Sequence, residues 1–160
     1  MQLEKQVDKL VNQILLKSEN QHELLFGDCQ SGVAITNTQE HILMLLSHER
    51  LTNSDLAKRL NISQAAVTKA IKYLVSQGML ASVKNKEDAR VTYFELTDIA
   101  KPVAKEHTHH HDATLAVYKN LFNQFSEDEQ DVIARFLKVF SDELLSLIHI
   151  SEPTRPLYIS

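Results

Sequence analysis

Leu51-Thr52-Asn53-Ser54-Asp55-Leu56-Ala57, followed after Asn61-Ile62 by Ser63-Gln64-Ala65-Ala66-Val67-Thr68, places two helix starts within one short span. Thr52 stands three residues before Asp55, the spacing at which a hydroxyl and a carboxylate satisfy each other's backbone N–H groups. A short helix over 53–60 is therefore predicted. Ser63 caps a further helix whose apolar residues Val67, Ile71, Leu74 and Val75 recur at helical spacing until Gly78 ends it. Leu80 to Lys84 and Val91 to Leu96 then alternate like strands around the polar turn Asn85-Lys86-Glu87-Asp88, a β-hairpin. Upstream, Asn37 three residues before Glu40 opens a helix through Ile42, Leu43, Leu45 and Leu46. Helix, short helix, capped helix and hairpin in this order predict a winged helix-turn-helix over 37–97. Its capped helix would enter a major groove while the hairpin reaches phosphates or the adjacent minor groove.

Outside this module the pattern is long helix. Leu3, Val7, Leu10, Val11, Ile14 and Leu15 define a first amphipathic helix that continues to Leu24 and Leu25 before Gly27. With the loop that follows it makes up 1–36. Thr97 opens a long helix to about Phe125, with a local kink expected at Pro102. Ser126 and Glu129 cap another that runs through Val132, Ile133, Phe136, Leu137 and Phe140 to near Leu145. These two make 98–145 a helical frame. Residues 146–160 carry Pro153 and Pro156, lose the helical period and read as a disordered or non-native tail.

Composition agrees with a mostly α chain. The 160 residues suffice for one ordinary domain or a small one on a helical frame, and only three Gly and three Pro leave room for few turns. Apolar runs are too short to span a bilayer and the polar N-terminus does not resemble a signal peptide, so a cytoplasmic protein without membrane contact is expected. A single cysteine, Cys29, agrees with a reducing compartment. Residues 51–90 hold seven Lys and Arg against three acids, a net +4 within a chain of net −4. A basic module on an acidic frame is the footprint of a polyanion-binding element. Ser63, Gln64, Ala65, Ala66, Thr68, Lys69 and Lys72 are the candidates on the capped helix: small residues permit close approach, Gln64 can pair with adenine, and lysines neutralise phosphates. Lys84, Lys86, Asp88 and Arg90 are the candidates on the hairpin.

The histidines carry a second chemistry. Four of eight lie within Glu106-His107-Thr108-His109-His110-His111. His107 and His111 are four apart, so on a helix they share a face with Val103 and Leu115 and can chelate one ion. His109 and His110 point elsewhere and read as solvated or supporting. Glu23, Cys29 and the adjacent pair Glu40-His41 are further donors, and two adjacent Glu-His pairs can feed two neighbouring sites. No HExxH helix, nucleophile elbow or phosphate loop appears, and no enzyme is expected. A redox role for Cys29 lacks the positive surroundings that would lower its pKa.

On Leu51 to Ala57, Ser63 to Thr68, the hairpin signature Asp88-Ala89-Arg90 and Leu96-Thr97, the chain resembles the MarR family of dimeric winged-helix transcription regulators. The resemblance covers nearly all of 1–145. It implies a homodimer joined through its terminal helices and a palindromic double-stranded operator, with Asp88 orienting Arg90 into the minor groove. Glu19-Asn20-Gln21-His22-Glu23, Thr36-Asn37-Thr38-Gln39-Glu40-His41 and the histidine cluster are similar to the zinc-sensing branch of the family, repressors of zinc-uptake genes. That similarity implies two zinc sites per protomer: a primary one of Glu23, His41, His107 and His111, and a secondary one of Cys29, Glu40 and Glu106. Zinc would then act as corepressor. The alternative is a regulator released from DNA by a small aromatic or lipophilic ligand.

Overall fold

The computed structural model describes residues 2–19 and 34–159, with side chains as far as Leu147. Its order is α1 (Leu3–Ser18), α2 (Asn37–His48), α3 (Asn53–Leu60), α4 (Gln64–Ser76), β1 (Leu80–Lys84), β2 (Thr92–Leu96), α5 (Lys101–Phe122) and α6 (Glu127–Ile159). Met1–Leu115 forms one compact unit and Ala116–Ser160 a second. Among the described residues no helix is long and apolar enough to cross a membrane.

Within the first unit the core is shared by the elements of the predicted module. Ile42, Leu43 and Leu46 of α2, Leu56 and Ala57 of α3, Val67, Ala70, Ile71 and Leu74 of α4, Leu80 of β1 and Val103 and Ala104 of α5 are buried in one cluster. Burying each large aliphatic side chain contributes roughly 1.5–3 kcal/mol, which orders helices too short to persist alone. The helix ends follow local chemistry. Thr52 and Asp55 form the reciprocal box at α3, and Ser63 accepts the Ala66 N–H at α4. Asn61 takes the left-handed conformation, φ 54°, that lets α3 stop and the chain turn into α4. Gly78, φ 70°, ends α4: its N–H donates to the Val75 carbonyl and that of Met79 to the Leu74 carbonyl. The hairpin pairs β1 and β2 antiparallel, from Leu80 opposite Leu96 to Lys84 opposite Thr92.

Four boundaries differ from the sequence reading. The cap of α2 is Thr36, paired reciprocally with Gln39, one residue before the expected Asn37, because a threonine with glutamine three residues on makes the better box. α5 starts at Lys101, not Thr97. The Thr97 hydroxyl donates to the Gly78 carbonyl at 2.6 Å and a turn follows, so Pro102 falls in the first turn, where its missing N–H costs nothing and no kink is needed. α5 ends at Phe122, and the Ser126–Glu129 box opens α6 as expected. The α6 backbone continues past Leu145 to Ile159 instead of ending as a tail; Pro153 and Pro156 each forgo one backbone hydrogen bond, and the residues between them keep the helix. The expected continuation of the first helix to Leu24 and Leu25 lies outside the described residues.

Candidate metal centre and nucleic-acid interface

α2 and α5 bring three histidines together. The ring centroids of His41 and His107 are 4.4 Å apart, those of His41 and His111 5.9 Å, and those of His107 and His111 6.5 Å with the rings nearly parallel. The i, i+4 row of α5 descends into the core as predicted, since Val103 and His107 are buried, His111 is half-buried and Leu115 is exposed.

The rings are oriented by hydrogen bonds. His41 Nδ1 lies 2.9 Å from the Asn37 carbonyl oxygen. A carbonyl only accepts, so the proton sits on Nδ1 and Nε2 carries the lone pair. His107 Nδ1 lies 3.0 Å from Glu40 Oε2, with both side chains at 0–1% exposure. A buried carboxylate against a buried imidazole is costly to keep unless each satisfies the other, which makes the pair a candidate site. With Nδ1 held by the carboxylate, Nε2 is the atom through which a neutral His107 would take a metal, the usual carboxylate–histidine–zinc arrangement.

Three of the four primary-site residues thus meet, and Glu23 lies outside the described residues. Among the described residues the three rings do not by themselves converge into a set that would hold an ion. A zinc site is closed by four ligands, and the imidazole donors, with the Nδ1 of His41 and of His107 engaged, fit that requirement. Of the expected secondary set, Cys29 also lies outside the described residues and Glu106 is half-buried on α5. Glu40, expected in the secondary set, instead faces His107 of the primary set. The Asn37 carbonyl, not singled out from sequence, was legible as the acceptor four residues before His41. His109 is exposed and His110 half-buried, their rings 6.0 Å apart.

The residues expected to form a DNA face lie at the start of α4 and along it. Gln64, Ala65, Ala66, Lys69 and Lys72 are exposed and Thr68 is half-buried, while Val67, Ala70, Ile71 and Leu74 turn into the core. Ser63 is exposed with its oxygen engaged as the cap, which leaves its hydroxyl proton for a phosphate. On the hairpin Lys84 and Lys86 are exposed. Arg90, 90% exposed, is held by Asp88 through Nε at 3.1 Å and its terminal nitrogen at 3.2 Å, and the Arg90 backbone N–H donates to the same carboxylate. The Arg90 guanidinium and N–H keep the Asp88 carboxyl below the usual aspartate range. Asn53 Nδ2 bonds Thr68 Oγ1 across α3 and α4; sequence reading passed over it, since a contact fifteen residues apart leaves no periodic signal.

Residues 35–92 match the MarR family. The transcriptional regulator AdcR of Streptococcus pyogenes serotype M6 is 69% identical over 142 residues, covering 89% of this chain and 97% of that one. The chain belongs to the MarR family. Among solved structures it is similar to the zinc-dependent MarR-family regulator AdcR in its Zn(II)-bound state, at 57% identity, a TM-score of 0.66 and coverage of 90% and 99%. It is also similar to wild-type ZitR of Lactococcus lactis in complex with DNA, at 46% identity, a TM-score of 0.75 and the same coverage. A MarR fold of six helices with a two-stranded wing is what these elements build, and the chain is a transcriptional regulator, not an enzyme.

Proposed function

We propose that this chain is a zinc-responsive repressor that binds palindromic operators of zinc-uptake genes as a cytoplasmic homodimer, with zinc as corepressor. The observation that carries the reading is that His41, His107 and His111 are neighbours, their ring centroids 4.4–6.5 Å apart, with His107 held by a buried Glu40, in the same unit as the winged helix. Glu23, His41, His107 and His111 would hold the primary ion; Cys29, Glu40 and Glu106 the secondary one. Zinc bound there supplies charge and fixed ligand geometry, not reaction chemistry. A zinc-bound relative and a DNA-bound relative of the same fold support both halves of the reading.

The chain's own residues connect ligand to reader. His41 borders a small cleft with Leu60 and Ile62, the end of α3 and the turn into α4. Tyr73 on α4 donates its hydroxyl to the Ala34 carbonyl, at 3.3 Å, just ahead of α2. A change in the set of α2 therefore bears on α4, and zinc would select the arrangement that spaces two recognition helices one DNA turn apart. The homodimer rests on unpartnered apolar faces: Leu3, Leu10, Leu15 and Leu16 of α1, and separately Val132, Phe136, Leu137 and Leu144 of α6, are exposed.

Fluorescence anisotropy of a palindromic promoter fragment from a zinc-uptake locus, at fixed salt, tests the reading. Zinc should tighten binding by about 5- to 150-fold, the usual size of such coupling. His107→Ala should abolish the zinc response. Equal affinity with and without zinc in the wild type would sink the corepressor role.

A further inference from the structure

The Thr68 hydroxyl is committed in two of its three hydrogen-bonding positions. Oγ1 lies 2.9 Å from the Gln64 carbonyl oxygen, which can only accept, so the hydroxyl proton points back along α4. One lone pair receives the Asn53 Nδ2–H from α3 at 3.0 Å. A hydroxyl has one proton and two lone pairs, so a single lone pair and the Cγ2 methyl remain for a partner. Thr68 held in this way cannot donate.

That excludes the commonest partner of a threonine at a DNA interface, since phosphate oxygens are acceptors only. In the major groove the guanine edge and thymine O4 likewise only accept, whereas adenine N6 and cytosine N4 donate. Thr68 lies one turn along from Gln64 on the exposed face of α4, with small Ala65 beside it, so a base edge can approach.

Asn53 is not explained by stability. Its Oδ1 is buried and has no hydrogen-bond partner among the described residues, an arrangement that costs free energy. Its Nδ2 is the productive end of the amide. Asn53 borders, with Gln64 and Arg90, the groove of about 480 Å³ between α3, α4 and the wing.

We infer that Asn53 and Thr68 act as a base-reading pair: Asn53 fixes the Thr68 hydroxyl with its proton turned away, so that the remaining lone pair reads an exocyclic amino group, adenine N6 or cytosine N4, at one position of each half-site. Thr68 touches the base and Asn53 is a positioning residue. The inference rests on the reading of α4 as the major-groove helix.

The test uses the full-length zinc-loaded protein and a randomised duplex library, sequencing the bound fraction for wild type, Thr68→Val, Asn53→Ala and the double variant. Thr68→Val keeps shape and methyl but loses both lone pairs. It should lose about fivefold in preference for the amino-bearing base at one position per half-site, the size of a single neutral hydrogen bond. Asn53→Ala should blur the same position, and the double variant should lose no more than Thr68→Val alone, as coupled residues do. Affinity for a scrambled duplex should not change. Purine in place of adenine, or 2-pyrimidinone in place of cytosine, at that position should weaken wild type about fivefold and leave Thr68→Val unaffected; which analogue acts identifies the base.

A uniform loss on all sequences, a preference carried by guanine or thymine, or strict additivity of the two variants would overturn the pair. A wild-type protein that enriches no sequence would overturn it together with the operator reading. Selective enrichment by wild type, with an unchanged profile in Thr68→Val, would overturn the pair alone.

Discussion

Two regions of the first unit bury their key side chains by different means. From Thr52 to Leu96 the contacts are short in sequence: caps three residues apart, a helix stop at Asn61, a hairpin in register, and an apolar core in which Leu56, Val67 and Leu74 are completely enclosed. The histidine centre instead encloses a carboxylate and an imidazole, Glu40 and His107, that meet across 67 positions of chain. Apolar burial stabilises whatever surrounds it, while a buried polar pair is costly if either member is lost. The first region is built to hold its shape. The second holds together only while both members of its buried pair are present.

The largest expected effect breaks the first region and spares the second. Leu56→Ala should lower unfolding free energy by about 2–5 kcal/mol, because a fully buried leucine is replaced by a cavity. Denaturant melting measures this. Zinc affinity of the folded fraction should be unchanged, since Leu56 carries no metal donor; a parallel fall in both would mean the regions are one structure.

Next in size is a change confined to the second region. Glu40→Gln keeps the shape and still accepts from His107 Nδ1–H, but replaces a charge-assisted hydrogen bond with a neutral one. Zinc affinity should fall by about 10- to 100-fold, as for other partners of metal-bound histidines, in a competition titration with a chromophoric chelator. Operator affinity at saturating zinc should recover. No change in zinc affinity would demote Glu40 to a packing residue.

The two regions also differ in how far the sequence discloses them. The capping box at Thr52, the cap at Ser63, the stop at Gly78 and the hairpin were legible because each depends on residues within one turn or one strand pair. Thr36 displaced Asn37 as the α2 cap, and Thr97 gave its hydroxyl to the Gly78 carbonyl in place of starting α5. The first is a local choice between two neighbouring cap residues; the second is decided by a tertiary contact. In the centre, the shared face of His107 and His111 followed from helical spacing, whereas the pairing of Glu40 with His107 had no local signal. Only packing of α2 on α5 chooses which of the adjacent Glu40 and His41 meets that ring. The Asn53–Thr68 bond was hidden for the same reason.

The smallest effect concerns the wing, where the short-range pair of Asp88 and Arg90 is exposed. Asp88 has its carboxyl lowered by Arg90, so whatever the pair contributes is complete above the ordinary aspartate pKa of about 3.9 and is lost only as pH falls through the lower folded value. Between pH 8 and about 5 the pair therefore stays intact, and any loss of operator affinity in that window arises elsewhere, from protons competing with zinc for imidazole nitrogen. Because Arg90 is almost wholly exposed, Asp88→Asn should leave the melting temperature unchanged, as surface ion pairs contribute little. It should weaken zinc-loaded operator binding by a few-fold, through loss of the bidentate hold that fixes the guanidinium for the minor groove. Salt titrations of wild type and Asp88→Asn separate the two: a weaker but parallel salt dependence means Arg90 still reaches DNA and only its orientation was lost, and a lower slope means the arginine no longer neutralises a phosphate at all.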